Sequence, residues 1–191
     1  GCIRIGGRPI ESYSERALSE NISFVFQDAR LFKMSIYDNV SLARRDAKRE
    51  EVLEALHLAG CDSILDKFRE RENTLIGSKG VYLSGGEKQR ISIARAILKK
   101  SRIVILDEAS AAVDPENEHE LQLAFSHLMK GRTVIMIAHR LSSIRNVDEI
   151  LVLEKGRIIE RGSDRVLMAK DSRYRRLQEL YGRANEWRVE G

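Results

Sequence analysis

"RIVILDE", residues 102–108, decides the fold class of this chain. Its aliphatic residues follow one another without polar alternation, and the run ends in two acids. "ISFVF" (22–26) and "TVIMIAH" (133–139) are similar apolar runs, each ending at or just before a polar residue. Strands without polar alternation are typical of a parallel sheet that lies between two layers of helices. These three runs therefore predict a mostly parallel sheet that is covered on both faces.

Helical segments separate the apolar runs. Residues 35–60 and 84–100 carry apolar side chains at helical spacing, and residues 116–131 read as a helix closed by a glycine. The alternation of strand and helix from about residue 101 onward predicts an α/β fold. The stretch 35–100 is almost purely helical, so we expect it to be a helical subdomain inserted into the α/β core.

Composition narrows the class of protein further. The chain has 191 residues and is 42% hydrophobic, which is enough to bury the core of one domain. A net charge of +4 without a polybasic cluster indicates a solvated surface and argues against a nucleic-acid partner. Cys2 and Cys61 stand apart and are interpreted as reduced thiols. No apolar run reaches the roughly 20 residues that a membrane-spanning helix needs.

The helix at residues 84–100 begins in an unusual way. Ser84, Gly85, Gly86 and Glu87 fit the capping box S-x-x-E, with Ser84 as the N-cap. Glycine weakens a helix by up to about 1 kcal/mol relative to alanine, so two glycines are unexpected in a helix that is merely well capped. They make sense where a bulky anion approaches the backbone amides, and phosphate is the usual ligand of a helix N-terminus. A capped helix and a phosphate site both remain open on this local pattern.

Polar residues stand at the ends of the three apolar runs. Asp107 and Glu108 end one run, His139 ends another, and Gln27 follows the third. Ligands bind at the carboxyl ends of strands in open α/β sheets, and adjacent acids there suit a Mg²⁺-linked carboxylate followed by a base. Each residue alone also fits a structural role, such as a solvated turn or a loop cap. Together they predict one site at one edge of the sheet.

The combination resembles the nucleotide-binding domain of an ATP-binding-cassette (ABC) transporter. The similar motifs are "FQD" (26–28) for the Q-loop, "GSKGVYLSGGE" (77–87) for the exporter-type segment and signature, "IVILDE" (103–108) for the Walker B strand, "ASAAVD" (109–114) for the D-loop, "AHR" (138–140) for the H-switch and "GRIIERGS" (156–163) for the closing hairpin. The resemblance implies a P-loop NTPase-like sheet core with an inserted helical subdomain. It divides the chain into core strands and Q-loop (1–34), helical subdomain with signature (35–100), RecA-like core (101–170) and C-terminal helical tail (171–191).

The resemblance also implies cofactors and roles for individual residues. In the family, two nucleotide-binding domains close head to tail around two ATP molecules, so each site is shared between two chains. The implied ligands of the γ-phosphate bound by the partner chain are Ser84, Gly85 and Gly86, and Glu87 belongs to the same ATP-binding motif. The implied roles at the other motifs are Mg²⁺ support by Asp107, contact with Mg²⁺ or water by Gln27, polarisation of the attacking water by Glu108, a γ-phosphate contact by His139 and communication between sites by Asp114.

One family motif is missing, and two positions depart from the family pattern. No glycine in the chain is followed by lysine, so the P-loop pattern G-x-x-x-x-G-K-[ST] is absent. We therefore expect a C-terminal fragment of a longer exporter subunit, which by itself neither binds ATP tightly nor hydrolyses it. Ser78 stands where exporters usually have Glu, which leaves coupling to the membrane helices open. Glu87 stands where Gln is commoner and either adds a carboxylate near the γ-phosphate or turns toward backbone amides.

The expected function is ATP binding and hydrolysis that powers export across a membrane. The implied partners are a second nucleotide-binding domain, identical or different, and the transmembrane domain of the same transporter. The resemblance places the parent protein at the cytoplasmic face of the cell membrane and the 191 residues themselves in solution. Alternatives are an ABC ATPase without a transport role and an inactive assembly fragment. A fragment without its first strands is expected to expose apolar sheet and to self-associate.

Overall fold

The computed structural model describes residues 1–26, 29–77, 80–107, 115–138, 144 and 146–189, and only the backbone of 115–118 and 182–189. The chain forms two compact units, residues 1–137 and 138–191, and each is described by itself. The described elements of the first unit are β1 (Arg4–Ile5), β2 (Arg8–Pro9), α1 (Glu15–Asn21), β3 (Ile22–Val25), α2 (Ile36–Ser41), α3 (Arg49–Leu58), α4 (Asp62–Leu65), α5 (Gly85–Lys99), β4 (Ile103–Asp107), α6 (Pro115–Met129) and β5 (Thr133–Ile137). Those of the second unit are β6 (Ile150–Glu154), β7 (Arg157–Gly162), α7 (Asp164–Met168) and α8 (Arg173–Val189).

The three apolar runs form one parallel sheet in the order β3-β4-β5. The register pairs Val25 with Leu106 and Leu106 with Met136, so the carboxyl ends of the three strands lie at the same edge. This arrangement confirms the predicted α/β class and the mostly parallel sheet. It also places Asp107, the last residue of β4, at this edge of the sheet.

Only one face of this sheet is covered by the described residues. Val104 and Leu106 are buried in a core that they share with α5 and α6. On the other face, Phe24 is 52% exposed and Ile135 is 53% exposed, and the register places these two side chains on either side of Ile105. The second covering layer that the apolar strands predict is not found among the described residues, and the exposed side chains are of the kind that the resemblance led us to expect for a fragment.

The helical region between β3 and β4 shares one continuous core with the sheet. α3 and α5 place fully buried side chains such as Leu56 and Ile91 toward each other and toward α2. The stretch 35–60 reads as helical in sequence, but α2 ends at Ser41 and α3 begins at Arg49. The interruption has a local cause, since Lys48 is extended and its amide donates to the Glu51 carboxylate (3.1 Å) to start a new helix. The division into segments at 35–100 and 101–170 stays a prediction.

The second unit contains the predicted hairpin. β6 and β7 pair antiparallel, and the turn between them has positive φ at Lys155 (48°) and Gly156 (75°). Positive φ at both central residues is the geometry that two-residue hairpins prefer. The hairpin and α7 enclose a small core that contains Ile150, Leu167 and Tyr174.

Candidate functional site

The start of α5 has the capping box that its sequence predicts. Ser84 has an extended backbone (φ −65°, ψ 167°), and its Oγ accepts a hydrogen bond from the Glu87 amide (3.2 Å). In return, the Ser84 amide donates to the Glu87 carboxylate (2.7 Å). These two bonds fix the first turn of the helix and leave the Ser84 hydroxyl proton available to a further acceptor.

Two backbone donors remain at this helix start. Within the described part of the chain, the amides of Gly85 and Gly86 have no acceptor, as is usual for the first residues of a helix. Gly85 is exposed, and a Cβ at this position would meet no atom within 4 Å. Gly86 is buried beside it. The amide of Gly85 therefore lies at an exposed position at the positive end of a 15-residue helix, which suits an incoming anion.

The carboxylate of Glu87 is turned away from solvent and is fully engaged. Its side chain is only 8% exposed, and besides the Ser84 amide it accepts a hydrogen bond from Nζ of Lys67 (2.6 Å). Burial alone raises the pKa of Glu87, but Lys67 and the Ser84 amide outweigh burial and lower the pKa below its ordinary value. The carboxylate is therefore ionised at neutral pH. Of the two orientations open in the sequence, the structure shows the one toward the backbone amide.

The strand ends give the second half of the candidate site. Asp107 is the last residue of β4, the central strand, and pairs with Ile137 of β5. It is half-buried and lies on the less covered face of the sheet, the same face as Ile105, which precedes it by two residues in β4. Carboxylate oxygen is a ligand that Mg²⁺ prefers, so the chemistry of Asp107 fits the predicted metal role. The other residues predicted at the strand ends and D-loop lie outside the described residues: Gln27, Glu108, Asp114 and His139.

The two halves are separate within the described residues. No hydrogen bond or ion pair among those residues joins Ser84 or Glu87 to Asp107. That each half belongs to a different nucleotide site stays a prediction. Ser78, the second departure from the family pattern, also lies outside the described residues.

Sequence reasoning missed the residues that hold α5 in place. Arg95, near the middle of α5, donates from Nη1 to the Arg30 carbonyl (2.8 Å) and from Nε to the Asn39 carbonyl (2.6 Å). Its guanidinium also lies over the Phe32 ring, 5.5 Å from the centroid. These contacts tie α5 to the segment that follows β3. The available signal was a charged residue among apolar ones in "ISIARAIL", and the partners could not be found because they lie far away in sequence.

None of the helices in the described part of the chain combines the length and apolar character needed to cross a membrane.

Comparisons with known proteins agree with this geometry. A family model described as "ABC transporter" matches residues 1–111, which is more than half of the chain. An "ATP-dependent lipid A-core flippase" of Legionella pneumophila is 44% identical over 188 residues, 97% of this chain and 32% of the relative. A "Beta-(1-->2)glucan export ATP-binding/permease protein" of Bartonella henselae is 46% identical over 177 residues, 93% of this chain and 30% of the relative.

A plant relative extends the range of organisms. "ABC transporter B family member 14" of Arabidopsis thaliana is 42% identical over 181 residues, which are 94% of this chain and 14% of the relative. The chain spans at most about a third of the length of these curated relatives.

Proposed function

The chain belongs to the ABC transporter family, and from this premise we propose that it binds ATP and takes part in the hydrolysis that powers export across a membrane. Two relatives bear the names of a flippase and an export ATP-binding/permease protein, which favours transport over an ABC ATPase without a transport role. The transported molecule is outside this proposal.

The open glycine start of α5 is the observation that carries the proposal. Gly85 offers, at an exposed position, an amide that has no acceptor among the described residues, and Ser84 offers a hydroxyl proton beside it. Both donors sit at the positive end of the helix dipole and suit a terminal phosphoryl group. We place that phosphoryl group on ATP held mainly by a second nucleotide-binding domain, so Ser84, Gly85 and Gly86 act across a subunit boundary and Glu87 holds them in position.

The sheet edge supplies the remaining proposed roles. Mg²⁺, when bound with ATP, neutralises charge on the phosphates, and Asp107 is the described carboxylate placed to hold it. Gln27 contributes to the same metal or to the water, Glu108 polarises the attacking water, and His139 contacts the γ-phosphate. Asp114 links this site to its counterpart in the second domain. These assignments rest on sequence position at the ends of β3, β4 and β5.

The partners follow from the same premise. A second nucleotide-binding domain completes the shared site, and a transmembrane domain converts its closure and reopening into transport. This places the ATPase domain at the cytoplasmic face of the membrane. Nucleic acid is not among the proposed partners.

The test is ATP hydrolysis by the complete gene product in membranes or detergent. We expect Glu108→Gln to lower the turnover of ATP by at least about a hundredfold and to leave nucleotide trapped, because a positioned general base contributes on that order. Glu154→Gln is the matched control, since Glu154 also ends a strand and is exposed.

Two results would count against the proposal. Glu108→Gln with a wild-type turnover of ATP rejects the assignment of the base. A pure, folded wild-type protein that hydrolyses no ATP rejects the proposed function itself.

A further inference from the structure

We propose that Lys67 is a positioning residue of the phosphate site, which neutralises the carboxylate of Glu87 so that the start of α5 can accept a terminal phosphoryl group. The inference rests on the proposed function and adds to it a residue outside the recognised motifs. The carboxylate of Glu87 places a negative charge beside the proposed phosphate donors. Like charges in one site repel, and the carboxylate therefore needs a counter-charge that a glutamine does not need.

The contacts single out Lys67 as that counter-charge. Its Nζ lies 2.6 Å from one carboxylate oxygen of Glu87, while the other oxygen accepts the Ser84 amide at 2.7 Å. The carboxylate of Glu87 thus bridges Lys67 and the backbone of Ser84, the residue before the two glycines. A shift of the lysine is transmitted through this one side chain to the backbone of Ser84.

The position of Lys67 is set by a turn that is itself anchored in the core. The Lys67 amide donates to the carbonyl of Ile64 (3.3 Å), and the next residue, Phe68, donates to the carbonyl of Leu65 (3.1 Å). Ile64 and Leu65 belong to α4 and are buried. The lysine itself remains 57% exposed, so its ammonium keeps part of its hydration while it pairs with a carboxylate that is 8% exposed.

Another cation near Glu87 is already committed elsewhere. The guanidinium of Arg90 interacts electrostatically with Glu87, but it is buried, pairs with Glu120 on α6 and donates to the carbonyl of Gly60 (3.1 Å). Arg90 therefore joins α5 to its neighbours, whereas Lys67 makes the direct bond to the Glu87 carboxylate. Among the described residues, we therefore assign the main neutralisation of this carboxylate to Lys67.

The test is a double-mutant cycle in the complete gene product, read out by the ATP concentration that gives half-maximal hydrolysis. We expect Lys67→Met to raise that concentration about tenfold in the wild-type background and less than about twofold in the Glu87→Gln background, because coupled neighbours in one site interact on this scale. A glutamine can still accept the Ser84 amide and carries no charge to neutralise. Lys130→Met removes the same charge at the exposed end of α6 and is the matched control.

A second measurement separates this role from a merely structural one. Inhibition by ADP should change less than about twofold in Lys67→Met, because ADP lacks the terminal phosphoryl group that carries the repulsion. The defect toward ATP should shrink as salt is added, since salt screens the repulsion between the unpaired Glu87 carboxylate and the phosphate, which enters at an exposed helix start. Lys67→Arg keeps the charge and should stay close to wild type, and thermal unfolding of every variant checks that each is folded.

Each other outcome overturns the inference in a recognisable way. An equal rise in both backgrounds, or an equal loss of ADP and ATP binding, shows that Lys67 acts on the fold and not on the charge of Glu87. If Lys67→Met does not fold, the double variant with Glu87→Gln is compared with Glu87→Gln alone. A double variant that folds but binds ATP tenfold more weakly also shows that Lys67 does not act through the charge of Glu87. Wild-type protein without ATPase activity removes the proposed function and this inference together, whereas active wild type with unaffected Lys67 variants removes the inference alone.

Discussion

The helical region at residues 36–99 and the three-stranded sheet bury their apolar side chains in different ways. In the helical region, Leu56 and Ile91 are fully enclosed by residues of the same region and of the adjoining core. In the sheet, Leu106 is equally buried on one face, but Ile135 on the other face is half exposed. The central apolar side chains of the helical region are therefore fully buried, whereas the described residues bury the side chains of the sheet on one face only.

The difference matters because each region holds one half of the candidate site. The glycine start of α5 belongs to the buried helical region, where the capping box and the ion pair between Lys67 and Glu87 fix it locally. Asp107 ends a strand of the half-covered sheet and lies on its less covered face. The proposed phosphate donors thus lie in a region whose apolar side chains are buried, whereas Asp107, the proposed Mg²⁺ ligand, borders a sheet face that the described residues leave exposed.

The largest expected effect on stability comes from truncating a buried side chain of the helical region. Ile91→Ala removes a fully buried side chain from the middle of the α2, α3 and α5 packing and should lower the free energy of unfolding by about 2–5 kcal/mol. Equilibrium urea unfolding of the 191-residue chain measures it. Leu123→Ala on α6 is the control, because Leu123 is 47% exposed and its truncation should cost less than about 1 kcal/mol. If both substitutions lowered the free energy of unfolding by the same amount, Ile91 would contribute no more to the core than the half-exposed Leu123 does.

A smaller effect should separate stability from function at the glycine start. Gly85→Ala should stabilise the chain by up to about 1 kcal/mol, since alanine favours a helix and the new methyl meets open space. The same methyl occupies the approach of a phosphate, so ATP hydrolysis by the complete gene product should fall about tenfold, the worth of a lost hydrogen bond to a charged group.

Gly131 provides the matched control for that substitution. A Cβ there also meets open space, but φ is +70°, a conformation that disfavours alanine. Gly131→Ala should therefore lower the free energy of unfolding and leave the ATP affinity of the folded protein unchanged. Gly85→Ala with normal hydrolysis would break the link between the open helix start and the phosphate.

The parts of this fold that could be predicted from sequence are the local ones. The apolar runs predicted the parallel strands, and the box from Ser84 to Glu87 predicted the start of α5, because both depend on residues within one turn or one strand. The pairing of Lys67 with Glu87 across 20 residues has no local signal. The same holds for the bond from Arg95 to the carbonyl of Arg30, 65 residues away.

The candidate site divides along the same line. Ser84, Gly85, Glu87 and Asp107 occupy the helix start and strand end that their motifs predicted. Gln27, Glu108, Asp114 and His139 stay predictions, because they lie outside the described residues. The exposed sheet face was expected from the resemblance, through the motif that is missing, and not from the strands themselves, since an aliphatic run looks the same whichever segment covers it.

The smallest expected change in stability lies on that uncovered face. Ile135→Thr keeps a β-branched side chain at a half-exposed position and should alter the free energy of unfolding by less than about 0.5 kcal/mol. Its neighbour Val134 points to the opposite face and packs against the core, so Val134→Thr places a hydroxyl there and should cost about 1–3 kcal/mol. Sedimentation velocity should show less self-association for Ile135→Thr, because the mutation removes apolar surface from an exposed patch. The two substitutions could lower the free energy of unfolding equally at high protein concentration and differ only on dilution. That result would show that a second copy of the chain covers this face of the sheet and that the face is an interface.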